Sequence, residues 1–377
     1  MKQLRLKPRE ERRLLRGHLW AYRNEFHPLP PLDDGQLVDI YSDHRRFVAR
    51  GFYQAEGGIA VRILSRRQTP VDAGFWRRRV DEARSFRERL WSGQDTYRWL
   101  YGESDGMPGF VADRYGSVVV CETPCAFYGS HAGELAEAFL QSEGVKGVKI
   151  AVANEILAYG EVPPEVECTV EDVRLSVALE GGQKTGLFLD QRLNSRQVQA
   201  FAPGARVFDG HCYVGMWSCR AALAGAASVF GVDTSGPAVE RAGENARLNG
   251  VDGVCTFERA DVLEALQRGE QYNVIVLDPP AFAKSRAQVK KALGLYQTLN
   301  RTALDALAPG GVLITSTCSH FVSREAFLEV LKRAVTSAQR QAWILNISGA
   351  APDHPVLMAV PETEYLTCAT LRTLRKS

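Results

Sequence analysis

From Arg206 onward, short apolar runs alternate with longer amphipathic ones, and this rhythm limits the fold more than anything else in the chain. The runs 206–209, 228–232, 254–258, 273–277 and 311–316 read as strands. Helical patterns fall between them, near 216–224, 235–248, 262–268 and 290–307. Strand and helix in strict alternation give a parallel, doubly wound α/β sheet. Segments 342–346 and 365–372 read as two further strands. In such sheets ligands bind beyond the carboxyl ends of the strands.

The residues at those ends are therefore the first to examine. The first turn, VFDGHCYVGMWS (207–218), has Asp209 at the strand end and Gly215 before the helix. A dinucleotide fingerprint needs G-x-G-x-x-G there, and its absence argues against a nicotinamide cofactor. Asp233 ends the second run, placed to accept both hydroxyls of an adenosine ribose. Asp261 follows the third, where a carboxylate can accept from an adenine amino group. Each acid is also a preferred helix cap, so both readings stay open. YNVIVLDPPAFAKS (272–285) puts Asp278-Pro279-Pro280 at the fourth end. Two prolines fix the backbone and remove two N–H donors, which leaves carbonyls free for a substrate amino group. Phe282 is placed to stack on a base. In GGVLITSTCSHFVS (310–323), Gly310-Gly311 breaks what precedes and Cys318 lies past a short strand. A thiol there is either a small apolar filler or a nucleophile.

The preceding half is different in kind. Residues 1–100 hold 21 Lys and Arg against 13 Asp and Glu, a balance of +8 within a chain of net charge +2. A basic amino-terminal third suits a polyanion partner. The interleaved Arg and Glu of FWRRRVDEARSFRERLW (75–91) also suit a solvated helix face. Residues 35–65 read as three strands of a small β-barrel or sheet, 73–93 as a charged amphipathic helix, and 101–123 as strand, turn and strand around Gly-Met-Pro-Gly. A helix over 130–142 and strands to 179 complete a mixed middle region. The resulting division is 1–70, 71–178 and 179–377, the length of 377 residues exceeding one ordinary core. No membrane span, secretory leader, zinc spacing or disulfide framework is found, so a cytoplasmic chain with reduced thiols and no metal is expected.

With Asp209/Gly215, Asp233, Asp261 and Asp278-Pro279-Pro280 in order, the carboxy-terminal half resembles the class I S-adenosylmethionine-dependent methyltransferases. LEGGQKTGLFLDQRLNSR (179–196), GESDGMPGFVADRYG (102–116), DHPVLMAVPETEYL (353–366) and the Cys318 strand extend the resemblance. Together they are similar to the bacterial 23S ribosomal RNA cytosine-5 methyltransferases of the RlmI type. GHLWAYRNE (17–25) looks like that family's entry into a PUA RNA-binding domain. The resemblance implies a PUA-like domain, a middle α/β domain and a methyltransferase domain. It also implies S-adenosylmethionine as cofactor and RNA, 23S ribosomal RNA, as partner; a homodimer is admitted and no membrane is involved. It puts Lys184, Phe188, Asp190 and Arg192 along the cofactor with the strand-end acids, and Pro279, Pro280 and Phe282 along the base. Two departures stand out. His211 and Met216 replace the aromatic and second glycine of the usual first turn, and Ala281 stands where many RNA cytosine-5 methyltransferases carry a second cysteine.

The resemblance gives Cys318 a purpose. Cytosine carbon 5 is a poor nucleophile until a thiolate adds to carbon 6, and Asp278 is the expected acid at the N3 edge if burial raises its pKa. The alternative is an RNA-binding protein of this fold without cysteine chemistry, or one that methylates a nitrogen such as guanine N7. Neither needs a thiol at that strand end.

Overall fold

A computed structural model describes every residue except 154, 180–185 and 375–377, and the strands and helices are counted among the described residues. Lys184 therefore lies outside the described residues. The chain forms two compact units. One comprises Met1–Cys168, Val177–Leu189 and Pro352–Thr363; the other comprises Thr169–Ser176, Asp190–Ala351 and Glu364–Ser377.

The first unit opens with strands β1 (Lys2–Arg5), β2 (Trp20–Tyr22), β3 (Leu37–Tyr41), β4 (Phe47–Tyr53) and β5 (Ile59–Ser65), and a short helix α1 (Glu11–Leu15). They pair in the order β1-β3-β4-β5-β2. The expected strands of 35–65 are β3 to β5. β1 and β2 span only four and three residues, too short for alternation to show. Helix α2 (Ala73–Leu90) is capped by Asp72, whose carboxylate accepts from Phe75 N at 2.9 Å. It buries a stripe of Phe75, Trp76, Val80, Ala83 and Arg87. The second sheet holds β6 (Thr96–Tyr101), β7 (Val111–Tyr115), β8 (Val118–Thr123), β9 (Gly147–Val152) and β10 (Glu155–Gly160), with α3 (Ala132–Leu140). Gly-Met-Pro-Gly falls between β6 and β7, and Gly106 and Gly109 have φ of 68° and 74°, which favours glycine. A hairpin of β11 (Glu165–Val170) and β12 (Val173–Ala178) follows, and the division into units falls inside it.

Arg87 ties the first unit together. It is fully buried, donates to both oxygens of Asp105 at 2.6 and 2.8 Å, and reaches the Asp353 carbonyl at 2.8 Å. Helix α2, the turn after β6 and the distant 352–363 segment are thus joined by one guanidinium.

The second unit begins with α4 (Arg192–Ser195) and then follows the alternation read from the sequence. Its strands are β13 (Arg206–Gly210), β14 (Ser228–Asp233), β15 (Cys255–Arg259), β16 (Tyr272–Leu277), β17 (Leu307–Thr317), β18 (Ala342–Ser348) and β19 (Thr367–Thr373). The helices are α5 (Met216–Leu223), α6 (Gly236–Leu248), α7 (Val262–Leu266), α8 (Val289–Ala306) and α9 (Arg324–Ser337). The order is β15-β14-β13-β16-β17-β19-β18, with β13 to β17 parallel and β19 antiparallel to both its neighbours. Two expectations change. Gly310-Gly311 does not end the preceding structure: β17 starts at Leu307 and bulges, so that Leu307 pairs with Tyr272 and Val312 with Val274. Helix α9 was not anticipated, although Phe327, Val330, Leu331 and Ala334 form its buried stripe at helical spacing.

Strand order reverses across β13, and the register sets Gly210 level with Val232 and Leu277, and Leu277 level with Thr315. Their carboxyl ends open on one edge. Among the described residues no helix is long and apolar enough to cross a membrane.

Replacing Arg87 by Ala should destabilise the protein by about 3–5 kcal/mol, because the largely enclosed Asp105 loses its cation and keeps only the Tyr101 N–H. Chemical denaturation checks this. The double variant Arg87→Ala/Asp105→Ala should recover part of that loss.

Candidate active site

At the level edge of β13, β14 and β16, the turn after β13 is unusually tight. His211, Tyr213 and Gly215 all take positive φ, of 63°, 48° and 83°. Two are not glycine, so the loop holds local strain that its anchors must offset. Those anchors are visible. Cys212 N donates to Val232 O at 3.0 Å, and Tyr213 N donates to Asp233 Oδ2 at 3.0 Å. A Cβ on Gly215 would come within 3.1 Å of Ala242, so glycine is required for space as well as for φ.

The predicted acids cluster here in distinct states. Asp209 is fully buried; Ser218 Oγ donates to its Oδ2 at 2.6 Å, and its Oδ1 has no hydrogen-bond partner among the described residues. Burial raises its pKa to about 7; the Ser218 bond opposes this and the Asp233 carboxylate adds to it. Asp233 accepts from Ser235 N at 2.9 Å as well as from Tyr213 N. Asp261 caps α7, accepting from Leu263 N at 2.8 Å and Glu264 N at 3.2 Å. His211, read only as a departure from the first-turn motif, lies within electrostatic reach of both Asp233 and Asp261. Burial lowers its pKa more than those carboxylates raise it.

Asp278 follows β16. It is partly exposed, yet its carboxyl is strongly desolvated by the surrounding protein. That desolvation, with the neighbouring Asp190 carboxylate, raises its pKa to about 7 against a hydrogen bond from Gln191. The bond is short, Gln191 Nε2 donating to Asp278 Oδ1 at 2.6 Å, while Asn194 donates to Gln191 Oε1 at 2.6 Å. Asp190 is buried and accepts from the Tyr365 hydroxyl; its Oδ1 has no partner among the described residues. Gln191 and Tyr365 were not singled out in the sequence, because nothing local marks a residue whose partner is tens of positions away. Arg192 is fully buried in the same short helix. Phe188 is half-buried and belongs to the first unit.

Cys318 answers the alternation of β17. Thr317 and Ser319 are buried and turn to the Tyr296 hydroxyl of α8, at 2.8 and 3.0 Å. Ser319 Oγ also accepts from Ala283 N at 3.2 Å, which fixes the segment after the prolines. Cys318 between them is left half-exposed, its thiol donating to the Pro279 carbonyl at 3.7 Å. The other seven cysteines are buried. Burial pushes Cys255 and Cys368 up to about 12, and Cys121, Cys125 and Cys212 upward as well. Pro279 is buried and Pro280 exposed. Phe282 is half-buried, its ring 4.6 Å from that of Tyr296. His320 stacks on Tyr365 at 5.1 Å. Contacts therefore link Cys318, Pro279 and Asp278 through Gln191 and Asp190 to Tyr365 and His320.

Comparison with known proteins identifies relatives of the chain. Residues 4–66 match a PUA-like domain, and residues 151–353 match a family described as S-adenosylmethionine-dependent methyltransferase. The chain is 34% identical to Ribosomal RNA large subunit methyltransferase I of Tolumonas auensis over 97% of both chains. It is also 34% identical to the protein of that name from Pseudoalteromonas atlantica over 96% of both. A candidate S-adenosylmethionine-dependent methyltransferase from Streptococcus mutans shares its fold, with a TM-score of 0.86, 22% identity and coverage of 99% and 100%. A second solved structure, a candidate methyltransferase complexed with SAH, gives a TM-score of 0.87 at 22% identity, with coverage of 99% and 100%.

The raised pKa of Asp209 has a measurable consequence. An acid whose folded pKa lies above its unfolded value lends stability that is full below about pH 4 and lost as pH rises through about 7. The stability difference between wild type and Asp209→Asn should shift against wild type by up to about 4 kcal/mol from pH 4 to pH 8. Urea denaturation across that range reads it; a constant difference would show that Asp209 is ionised throughout.

Proposed function

Because the chain belongs to the ribosomal RNA large subunit methyltransferase I family, an S-adenosylmethionine-dependent one, we propose that it methylates carbon 5 of a cytosine in 23S ribosomal RNA through a Cys318 thiolate adduct. One observation carries this reading. Of eight cysteines only Cys318 is accessible, and it stands at the carboxyl end of β17 against Pro279, next to an aspartate whose pKa is about 7.

The donor set fits the cofactor. Asp233 and Asp261 offer carboxylate oxygens to ribose hydroxyls and an adenine amino group. The left-handed Gly215 turn lets backbone approach a ligand, and the surplus of carboxyl groups favours a cation. S-adenosylmethionine, when bound, supplies an electrophilic methyl group. The chain's residues do the rest. The Cys318 thiolate adds to carbon 6, and Asp278, protonated near neutral pH, donates to the N3 edge as carbon 5 gains electron density. Once carbon 5 carries its methyl group, its proton passes to solvent water, the carbon 6–sulfur bond breaks to release the thiolate, and Asp278 takes back the N3 proton. The Pro279 carbonyl, freed from any pairing that a second N–H would impose, accepts from the thiol and holds it toward the crevice. In this reading residues 1–70 bind RNA, 71–178 join them to the transferase region, and 179–377 perform the transfer in the cytoplasm.

A nitrogen target such as guanine N7 already has a lone pair and gives no role to Cys318. Cys318→Ala should retain binding of S-adenosylhomocysteine and of RNA while losing essentially all turnover. Simple packing predicts retained activity and a small stability loss, since one atom is removed. RNA carrying 5-fluorocytosine should trap wild type, but not the variant, as a denaturant-resistant adduct on a gel. Full activity in the variant contradicts the mechanism.

Asp233→Ala should weaken S-adenosylhomocysteine binding about 10- to 150-fold, the range for losing hydrogen bonds to a carboxylate. Calorimetry measures it directly. Unchanged affinity would leave Asp233 as an anchor of the first turn only.

A further inference from the structure

The first unit contains a cavity of about 650 Å³ that the methyl-transfer chemistry does not use. Its walls come from the turn after α1, the end of β5 with Arg66 and Arg67, one face of α2, the turn after β6, and residues of the 355–359 segment. The volume is that of a site for a small ligand or a single nucleotide, within the range of about 300–1,000 Å³.

Its charges do not balance. Glu103 is engaged by Arg62 Nη1 at 2.7 Å and Trp20 Nε1 at 2.7 Å, and Asp105 is held by the buried Arg87. Those two carboxylates thus have cations of their own outside the lining. Glu82 is exposed and only loosely opposed to Arg79, at 3.8 Å. Arg66 and Arg67 have no acidic partner among the described residues. Arg66 Nε reaches only the Leu14 carbonyl, at 3.4 Å, and Arg67 is fixed by its backbone N donating to Ser65 Oγ at 3.0 Å. Partial burial lowers the Arg66 pKa, with no carboxylate to offset it. An exposed guanidinium without a counter-charge is available to an incoming anion. Phe86, on the same face of α2, lines the cavity with 41% of its surface exposed. The Arg87 guanidinium lies 5.2 Å from its ring centroid. An apolar ring beside paired guanidinia is the combination that single strands use: phosphate on the cations, base on the ring.

We propose that this cavity binds single-stranded RNA, with a phosphodiester held by Arg66, Arg67 and Arg79 and the adjoining base laid on Phe86. The proposal rests on the chain acting on RNA, and it names where, outside the transferase site, the strand is gripped. Guanidinium suits phosphate because its planar fork can donate twice to one anion.

The test uses the full chain and a short fluorescent single-stranded RNA, with affinity measured against salt. Arg66→Gln/Arg67→Gln should weaken binding at least about tenfold and lower the salt slope by about 1.4, since each phosphate contact on a single strand contributes about 0.7. Phe86→Ala should weaken binding about 5- to 150-fold with the salt slope unchanged, because stacking releases no counterions. Both variants should keep the wild-type melting temperature and S-adenosylhomocysteine affinity. Arg89→Gln, on an exposed position of α2 outside the cavity, should bind as wild type. Unchanged affinity and slope in the double variant, while wild type still binds and methylates RNA, would overturn the cavity assignment and leave the proposed activity standing. Inorganic phosphate that binds wild type but not the double variant, without displacing the RNA at matched ionic strength, would overturn it in favour of a small free anion. A wild type that neither binds nor methylates RNA would overturn both.

Discussion

Carboxyl groups gathered at one sheet edge are the constraint on which the second unit depends. Asp209, Asp233 and Asp278 end three adjacent parallel strands, and Asp190 is brought beside Asp278 by the segment that precedes the sheet. Burial out of water raises the pKa of Asp209 and Asp278 to about 7, and the carboxylates of Asp233 and Asp190 add to it, so both groups hold protons up to about that pH. Gln191, Ser218 and Tyr365 each spend a donor on the crowd. The same crowding gives the site two properties: attraction for a cationic ligand, and a neutral acid available where a base edge would arrive.

The amino-terminal charge has a more divided meaning. Helix α2 carries many of the arginines, yet Arg77 pairs with Asp81 at 2.7 Å and Arg84 with Glu88 at 2.6 Å along its own surface. Arg87 is buried and neutralised by Asp105. Those residues serve the helix and its packing. Arg66 and Arg67, after β5, are among the cations of the first unit that line a cavity without an acidic partner among the described residues. A count of charges along the chain could not separate the two roles.

Much of the catalytic sheet was legible because it is periodic. Strands and helices from 206 to 306 fall where apolar spacing puts them, and the strand-end acids sit at a shared level. Apart from α9, whose apolar stripe has helical spacing, what escaped had no local signal. β1 and β2 are too short to alternate, and the β17 bulge absorbs Gly310-Gly311 where a break was expected. The position of Cys318 was readable, but the reason it faces out was not: Thr317 and Ser319 are drawn inward by a tyrosine on α8. Of the two readings open for Asp261, the structure shows the cap of α7, its carboxylate accepting from Leu263 N and Glu264 N. Long-range hydrogen bonds such as Gln191 to Asp278 belong to the tertiary structure alone.

The central claim is that this edge places a thiol and a protonated carboxyl on a cytosine ring. The most direct measurement is to treat large-subunit ribosomal RNA from cells lacking the protein with the purified chain and methyl-labelled S-adenosylmethionine, then digest the RNA and identify the labelled nucleoside. The account predicts label in 5-methylcytidine and in no other nucleoside. Label in 7-methylguanosine or another nitrogen-methylated nucleoside would contradict it.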